Sequence, residues 1–169
     1  MRLLPIACLL SSAAWLAAAA DAPAPPRCTD DAHRQFDFWI GHWEVRSPQG
    51  QPLGENRITA APDGCSLYEA WQGRGGVVGH SLNRYDATTR RWRQLWIDNQ
   101  GGQLDLSGGR QGAAMVLEGV DGEGAARKRQ RITWAPQPDG SVRQLWETSD
   151  DDGRRWQTAF DGRYVRRKP

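Results

Sequence analysis

Two carboxylates, Glu69 and Asp98, stand in the sequence among indoles and amides, in Glu69-Ala70-Trp71 and in Gln94-Leu95-Trp96-Ile97-Asp98. Read with a two-residue period, Glu69 shares a strand face with Trp71, while Gln94 and Asp98 share one with Trp96. By the same alternation Asn56 falls beside Ile58, Ser81 and Asn83 beside Tyr85, and Gln144 beside Trp146. A dry core cannot hold that many donors and acceptors, since an unpaired buried amide costs roughly 1–3 kcal/mol and a lone carboxylate more. Either these groups satisfy one another in a closed network with trapped water, or they line a wet cavity for a partly polar ligand with aromatic faces. On the second reading the candidate binding residues are Trp43, Glu69, Trp71, Asn83, Gln94, Trp96, Asp98 and Trp146. Glu69 and Asp98 could also act as general acid and base if their surroundings separated their pKa values. Sequence sets no distance between them, so no catalytic residue is assigned.

Other chemistries find less support. His33, His42 and His80 have no metal-ligand spacing, and His42, alternating with Trp43, should face outward. Gly79-His80-Ser81-Leu82-Asn83 imitates a nucleophile elbow but lacks the closing glycine and the helix behind it. Gly73-Arg74-Gly75-Gly76 is a turn with no following helix to hold phosphate. Ser149-x-Asp151-x-Gly153-x-x-Trp156 resembles the Asp-box, a hairpin staple of sialidases and other β-proteins, and receives a folding role.

The elements that must position these residues are strands. Turn signals recur at 47–50, 62–64, 73–76, 86–90, 99–102, 108–112, 121–125, 136–140 and 149–154, and Asp-Gly appears at 63–64, 121–122, 139–140 and 152–153. The segments between them alternate and show no helical period, so the chain reads as an all-β meander. Residues 30 to about 38 fit a short helical turn before the first strand. A meander of about ten strands leaves two exposed edges unless it closes. The expected fold is one antiparallel up-and-down β-barrel of about ten strands, with a sandwich as second choice.

Composition bounds the setting. Arg2 followed by the apolar run from Leu3 to Ala19, ending Ala18-Ala19-Ala20, reads as a signal peptide over 1–20. A lipoprotein reading through Cys8 is the rival, with a poor lipobox. Residues 21–29 form a Pro-rich leader and 30–169 the barrel domain, which places the protein in the periplasm or outside the cell. No other run is long enough to span a bilayer. Net charge stays near neutral, no footprint for nucleic acid, and Arg127-Lys128-Arg129-Gln130-Arg131 reads as a solvated strand end. Once Cys8 leaves with the signal, Cys28 and Cys65 remain, an even count that predicts one disulfide in an oxidising compartment. Of the nine tryptophans only Trp15 lies in the signal; the rest supplement a modest supply of aliphatic core residues, with Trp39, Trp43 and Trp156 read as structural.

Phe36-Asp37-Phe38-Trp39-Ile40-Gly41-His42-Trp43 opens the domain, and a Gly-x-Trp of this kind starts the first strand of lipocalin-type barrels, its indole closing one end. Further along come Gly64-Cys65 with Glu69-x-Trp71, Ser81-x-Asn83-x-Tyr85-Asp86, Trp92-x-Gln94-x-Trp96-x-Asp98, Leu106-Ser107-Gly108-Gly109 and Phe160-Asp161-Gly162-x-Tyr164. In this order the motifs resemble a family of exported bacterial proteins catalogued as a domain of unknown function, across nearly the whole mature chain. The resemblance implies a calycin-like, lipocalin-related fold and no agreed activity. Some ten-stranded relatives hold haem through a histidine on a late strand, but no histidine follows His80, and no cofactor is expected.

The function expected is non-covalent binding of a small amphipathic or polar-aromatic molecule inside the barrel. The alternative is a filled barrel acting as a structural or interaction module of the envelope, with Arg91, Arg93, Arg143, Arg154, Arg155, Arg163, Arg166 and Arg167 serving one partner patch. A weaker one is an enzyme using Glu69 and Asp98. Oligomeric state is left open.

Overall fold

The computed structural model describes residues 28–167, so the signal peptide expected over 1–20 and most of the expected Pro-rich leader lie outside the described residues. Ten strands follow one another: β1 Gly41–Arg46, β2 Pro52–Ala60, β3 Ser66–Gly73, β4 Val78–Asp86, β5 Arg91–Asp98, β6 Gln103–Gln111, β7 Ala114–Asp121, β8 Lys128–Pro136, β9 Val142–Ser149 and β10 Gln157–Arg166. Each pairs antiparallel with its neighbours in sequence, and β1 pairs with β10, so the sheet closes on itself. Closure leaves no edge strand unpaired. The alternation holds across the barrel: Trp92 and Gln94 are buried, while Leu95 and Ile97, though apolar, point to solvent.

One expected turn is corrected. The glycines at 108 and 109 lie inside β6, which runs on to Gln111 before reversing at 112–113. Gly108 serves close approach instead: a Cβ there would sit 2.0 Å from the Val116 carbonyl oxygen on β7.

One end of the barrel is closed by aromatic packing. A four-residue helix, α1 Asp31–Arg34, is capped by the Asp30 carboxylate, which accepts the His33 N–H at 3.1 Å. A 3₁₀ turn over Asp37–Trp39 then feeds β1. Phe36 stacks on Trp39 at 4.9 Å and meets Trp92 and Trp134 edge-on. The Trp92 indole donates to the Ala32 carbonyl at 3.1 Å, and the Trp43 indole to that of Trp39 at 2.9 Å. Trp39, Trp43, Trp92 and Trp134 are fully buried, each contributing roughly 4–6 kcal/mol of gross transfer free energy. The disulfide Cys28–Cys65 joins the lead-in to the residue before β3, at a Cα separation of 5.0 Å.

The Asp-box staples the β9–β10 hairpin. Ser149 Oγ accepts the Gly153 N–H at 2.9 Å, Asp151 accepts that of Arg155 at 2.8 Å, and the Trp156 indole donates to the Gly153 carbonyl. The Arg131 guanidinium lies 3.9 Å over the Trp156 ring.

Candidate functional site

The end of the barrel remote from α1 holds a cavity of about 300 Å³. Trp71, Trp96, Trp146 and Phe160 form its aromatic walls, Leu53, Val77, Leu104 and Ile132 add aliphatic surface, and Glu69, Gln94 and Gln144 supply polar groups from below. Asp98 stands at its rim, where β5 enters the turn at 99–102.

The opening exists because several inward positions near this end carry no side chain. A Cβ on Gly79 would lie 2.2 Å from the Trp96 ring. Trp71 occupies the space of two missing side chains, with positions built on Gly54 and Gly73 falling 2.8 and 2.9 Å from its indole. Phe160 uses the space over Gly162 in the same way, at 2.6 Å. Trp71, Trp96 and Phe160 thus lie over backbone that a side chain would otherwise cover. Phe160 meets Trp71 edge to face at 5.9 Å, so two walls brace each other.

Beneath the rings runs a hydrogen-bonded layer. Glu69 accepts from Asn56 Nδ2 at 2.7 Å and from Ser81 Oγ at 2.6 Å. Asn83 donates to Ser81 Oγ at 2.8 Å, and Gln94 donates to Asn83 Oδ1 at 2.9 Å. Across the barrel, Tyr164 donates to Gln144 Oε1 at 2.5 Å, an oxygen that also accepts the Trp134 indole at 2.9 Å. Asn56 Nδ2, 3.3 Å from the Tyr164 hydroxyl, joins the two halves. The inward polar face therefore forms a network, and the upper edge of that network borders a cavity.

The two carboxylates sit in contrasting surroundings. Glu69 is only 5% exposed, and burial raises its pKa from 4.5 to about 7 against the opposing pull of the Ser81 and Asn56 hydrogen bonds. For Asp98 partial burial also pushes upward, but the Gly102 and Gln100 N–H groups and the Trp96 indole outweigh it and hold the pKa below the usual value. Near neutrality Asp98 is an anion, while Glu69 exchanges between a neutral donor and a charged acceptor.

Of the eight residues proposed from sequence, Glu69, Trp71, Gln94, Trp96, Asp98 and Trp146 line the cavity together. Asn83 lies one layer deeper, holding Ser81 and Gln94 in place. Trp43 belongs to the closed end: it is fully buried against Tyr164 and under Arg166, away from the cavity. The reason is geometric, since alternation reports which side of the sheet a residue faces and not its depth along the barrel. Sequence reasoning missed Leu53, Val77, Leu104, Ile132, Phe160 and the glycine spaces. Phe160-Asp161-Gly162 carried a usable signal, a glycine two residues from an inward aromatic.

His33 bonds Asp30 at 2.9 Å at the closed end, His42 faces outward toward Glu55, and His80 is exposed. Among the described residues no cluster of three or more histidine, cysteine, aspartate or glutamate side chains could hold a metal. No helix among them is long and apolar enough to cross a membrane. No protein-family model matches the chain, and no curated protein matches it either.

Proposed function

We propose that this protein is an exported calycin-like container that binds a small amphipathic or polar-aromatic molecule non-covalently, and that it belongs with the exported bacterial family its motifs resemble. The observation that carries the reading is the cavity itself, walled by Trp71, Trp96, Trp146 and Phe160 above Glu69, Gln94 and Gln144. Aromatic walls with a few convergent polar groups are the usual make-up of a small-molecule site. Export is supported by the N-terminal apolar run and by the disulfide, which suits an oxidising compartment. Three indoles report on the cavity directly. Tryptophan fluorescence titrated with fractionated envelope metabolites should therefore shift in at least one fraction. Trp71→Ala should abolish that shift, and a spectrum unmoved by every fraction would count against the proposal.

A second reading, an interaction module, draws on the outer surface. Tyr68, Leu82 and Leu95 lie side by side in register across β3, β4 and β5, each more than two-fifths exposed. The arginines first grouped for this role do not form one patch. Arg91 and Arg93 lie on β5, the others on β9, β10, the turn between and, for Arg167, just past β10, with β6, β7 and β8 intervening on one side. Arg93, Arg143, Arg155, Arg163 and Arg167 are each engaged by a carboxylate. Leu82→Glu together with Leu95→Glu separates this reading from the container. Loss of envelope partners in a pull-down with ligand response intact favours the interaction module. An enzyme reading draws on the split environments of Glu69 and Asp98, and Glu69→Gln with unchanged turnover of every substrate tested would remove it.

A further inference from the structure

We infer that the cavity selects a small organic cation, an ammonium group carried on an apolar body; this rests on the container reading above. The first argument is the sign of the lining. Among the described residues that line it, Glu69 and Asp98 are the only ionisable ones, and none is a lysine, arginine or histidine. Elsewhere in this arginine-rich chain carboxylates face cations, as Asp105 faces Arg93, Asp161 faces Arg143 and Glu147 faces Arg131. Neither Glu69 nor Asp98 has a basic partner within salt-bridge distance among the described residues. Their oxygens accept only neutral donors: Asn56 and Ser81 for Glu69, and the Gln100 and Gly102 N–H groups and the Trp96 indole for Asp98.

The second argument is the aromatic surface. The faces of Trp71, Trp96, Trp146 and Phe160 carry the negative side of the ring quadrupole, which attracts a cation and repels an anion. Rings and carboxylates thus favour the same sign. The apolar lining, from Leu53, Leu104 and Ile132, covers the ligand's uncharged part. A cavity of about 300 Å³ lies at the small end of small-molecule sites and suits a compact ligand.

The test compares three probes of one shape and different charge: phenyltrimethylammonium, its neutral isostere tert-butylbenzene, and the anion benzenesulfonate. Affinities come from calorimetry and tryptophan fluorescence on the mature chain. The cation should bind at least about tenfold more tightly than the neutral isostere, and the anion should show no saturable binding. Asp98→Asn retains an acceptor for the 99–102 turn, removes the charge and takes one oxygen from the Trp96 indole; it should lower cation affinity severalfold more than that of the neutral isostere. If that variant loses its circular dichroism spectrum, the wild-type ratio of cation to neutral isostere decides alone. Equal binding of cation and isostere, or preference for the anion, overturns the cation inference and leaves the container standing. Binding of none of the three overturns the cation inference, and the titration with envelope fractions then decides the container reading separately.

Discussion

The Trp96 indole lies against the bare backbone of Gly79 on the adjacent strand, where a Cβ would come within 2.2 Å of the ring. Ser81, not Gly79, is the residue paired with Trp96 in register, so the ring leans one inward position toward the open end to reach that space. The open volume of the cavity depends on this lean. Gly79→Ala should push the ring into the lumen, destabilise the fold by about 1–3 kcal/mol through overpacking, and weaken every probe regardless of charge. Calorimetry on Gly79→Ala checks this, and unchanged affinity would mean that the ring has another place to go.

Glu69 gives the protein a pH-dependent stability with a defined sign. Its folded pKa is raised from 4.5 to about 7, so the folded state keeps a proton that the unfolded chain releases. The contribution of Glu69 is therefore fully present below about pH 4.5 and is lost as the pH rises through about 7, by on the order of 3 kcal/mol in all. Glu69→Gln should flatten that part of the profile in urea denaturation series at stepped pH. A variant with the wild-type slope between these limits would assign the dependence to another group.

Breaking the disulfide should act on the unfolded chain as much as on the barrel. The bond closes a loop of 37 residues, and the chain-entropy model assigns such a loop about 4 kcal/mol. Cys28→Ser with Cys65→Ser should lower the urea midpoint accordingly without altering the cavity, which lies at the other end. Fluorescence titration of the variant at low temperature separates the two effects. A loss of ligand response in folded variant protein would show that the ends are coupled.

Ser149 is buried and its hydroxyl oxygen receives the Gly153 N–H, inside a turn where Asp152 adopts a φ of 59°. Ser149→Ala leaves that N–H without its partner and should cost about 1–3 kcal/mol. Urea denaturation of the single variant measures it. A loss well below this range would mean that water replaces the hydroxyl.

The class of fold was legible because it depends on local period. Leu95 and Ile97 exposed on the outside, with Gln94 buried inside, reverse what hydrophobicity alone suggests, yet follow from alternation with Trp92 and Trp96. The Asp-box was legible as a short pattern with one satisfactory geometry, and the Cys28–Cys65 disulfide from the even count left once Cys8 is set aside. The turn expected at 108–112 was not, because a glycine for close strand approach and one for a turn look alike in sequence.

Sequence by itself determined which side of the sheet each candidate faces, and so gathered Glu69, Trp71, Gln94, Trp96, Asp98 and Trp146 correctly to the interior. Only the tertiary structure decided their depth. It placed Trp43 in the closed end, Asn83 in the supporting layer and Phe160 in the wall. Depth follows from cross-strand register, a relation between residues distant in the chain, such as Trp71 opposite Gly79 and Trp96 opposite Ser81. The cavity follows from where glycines fall beneath rings: Gly73 under Trp71 and Gly162 under Phe160 within one strand, but Gly54 under Trp71 and Gly79 under Trp96 across two, and that second half is written in no single strand.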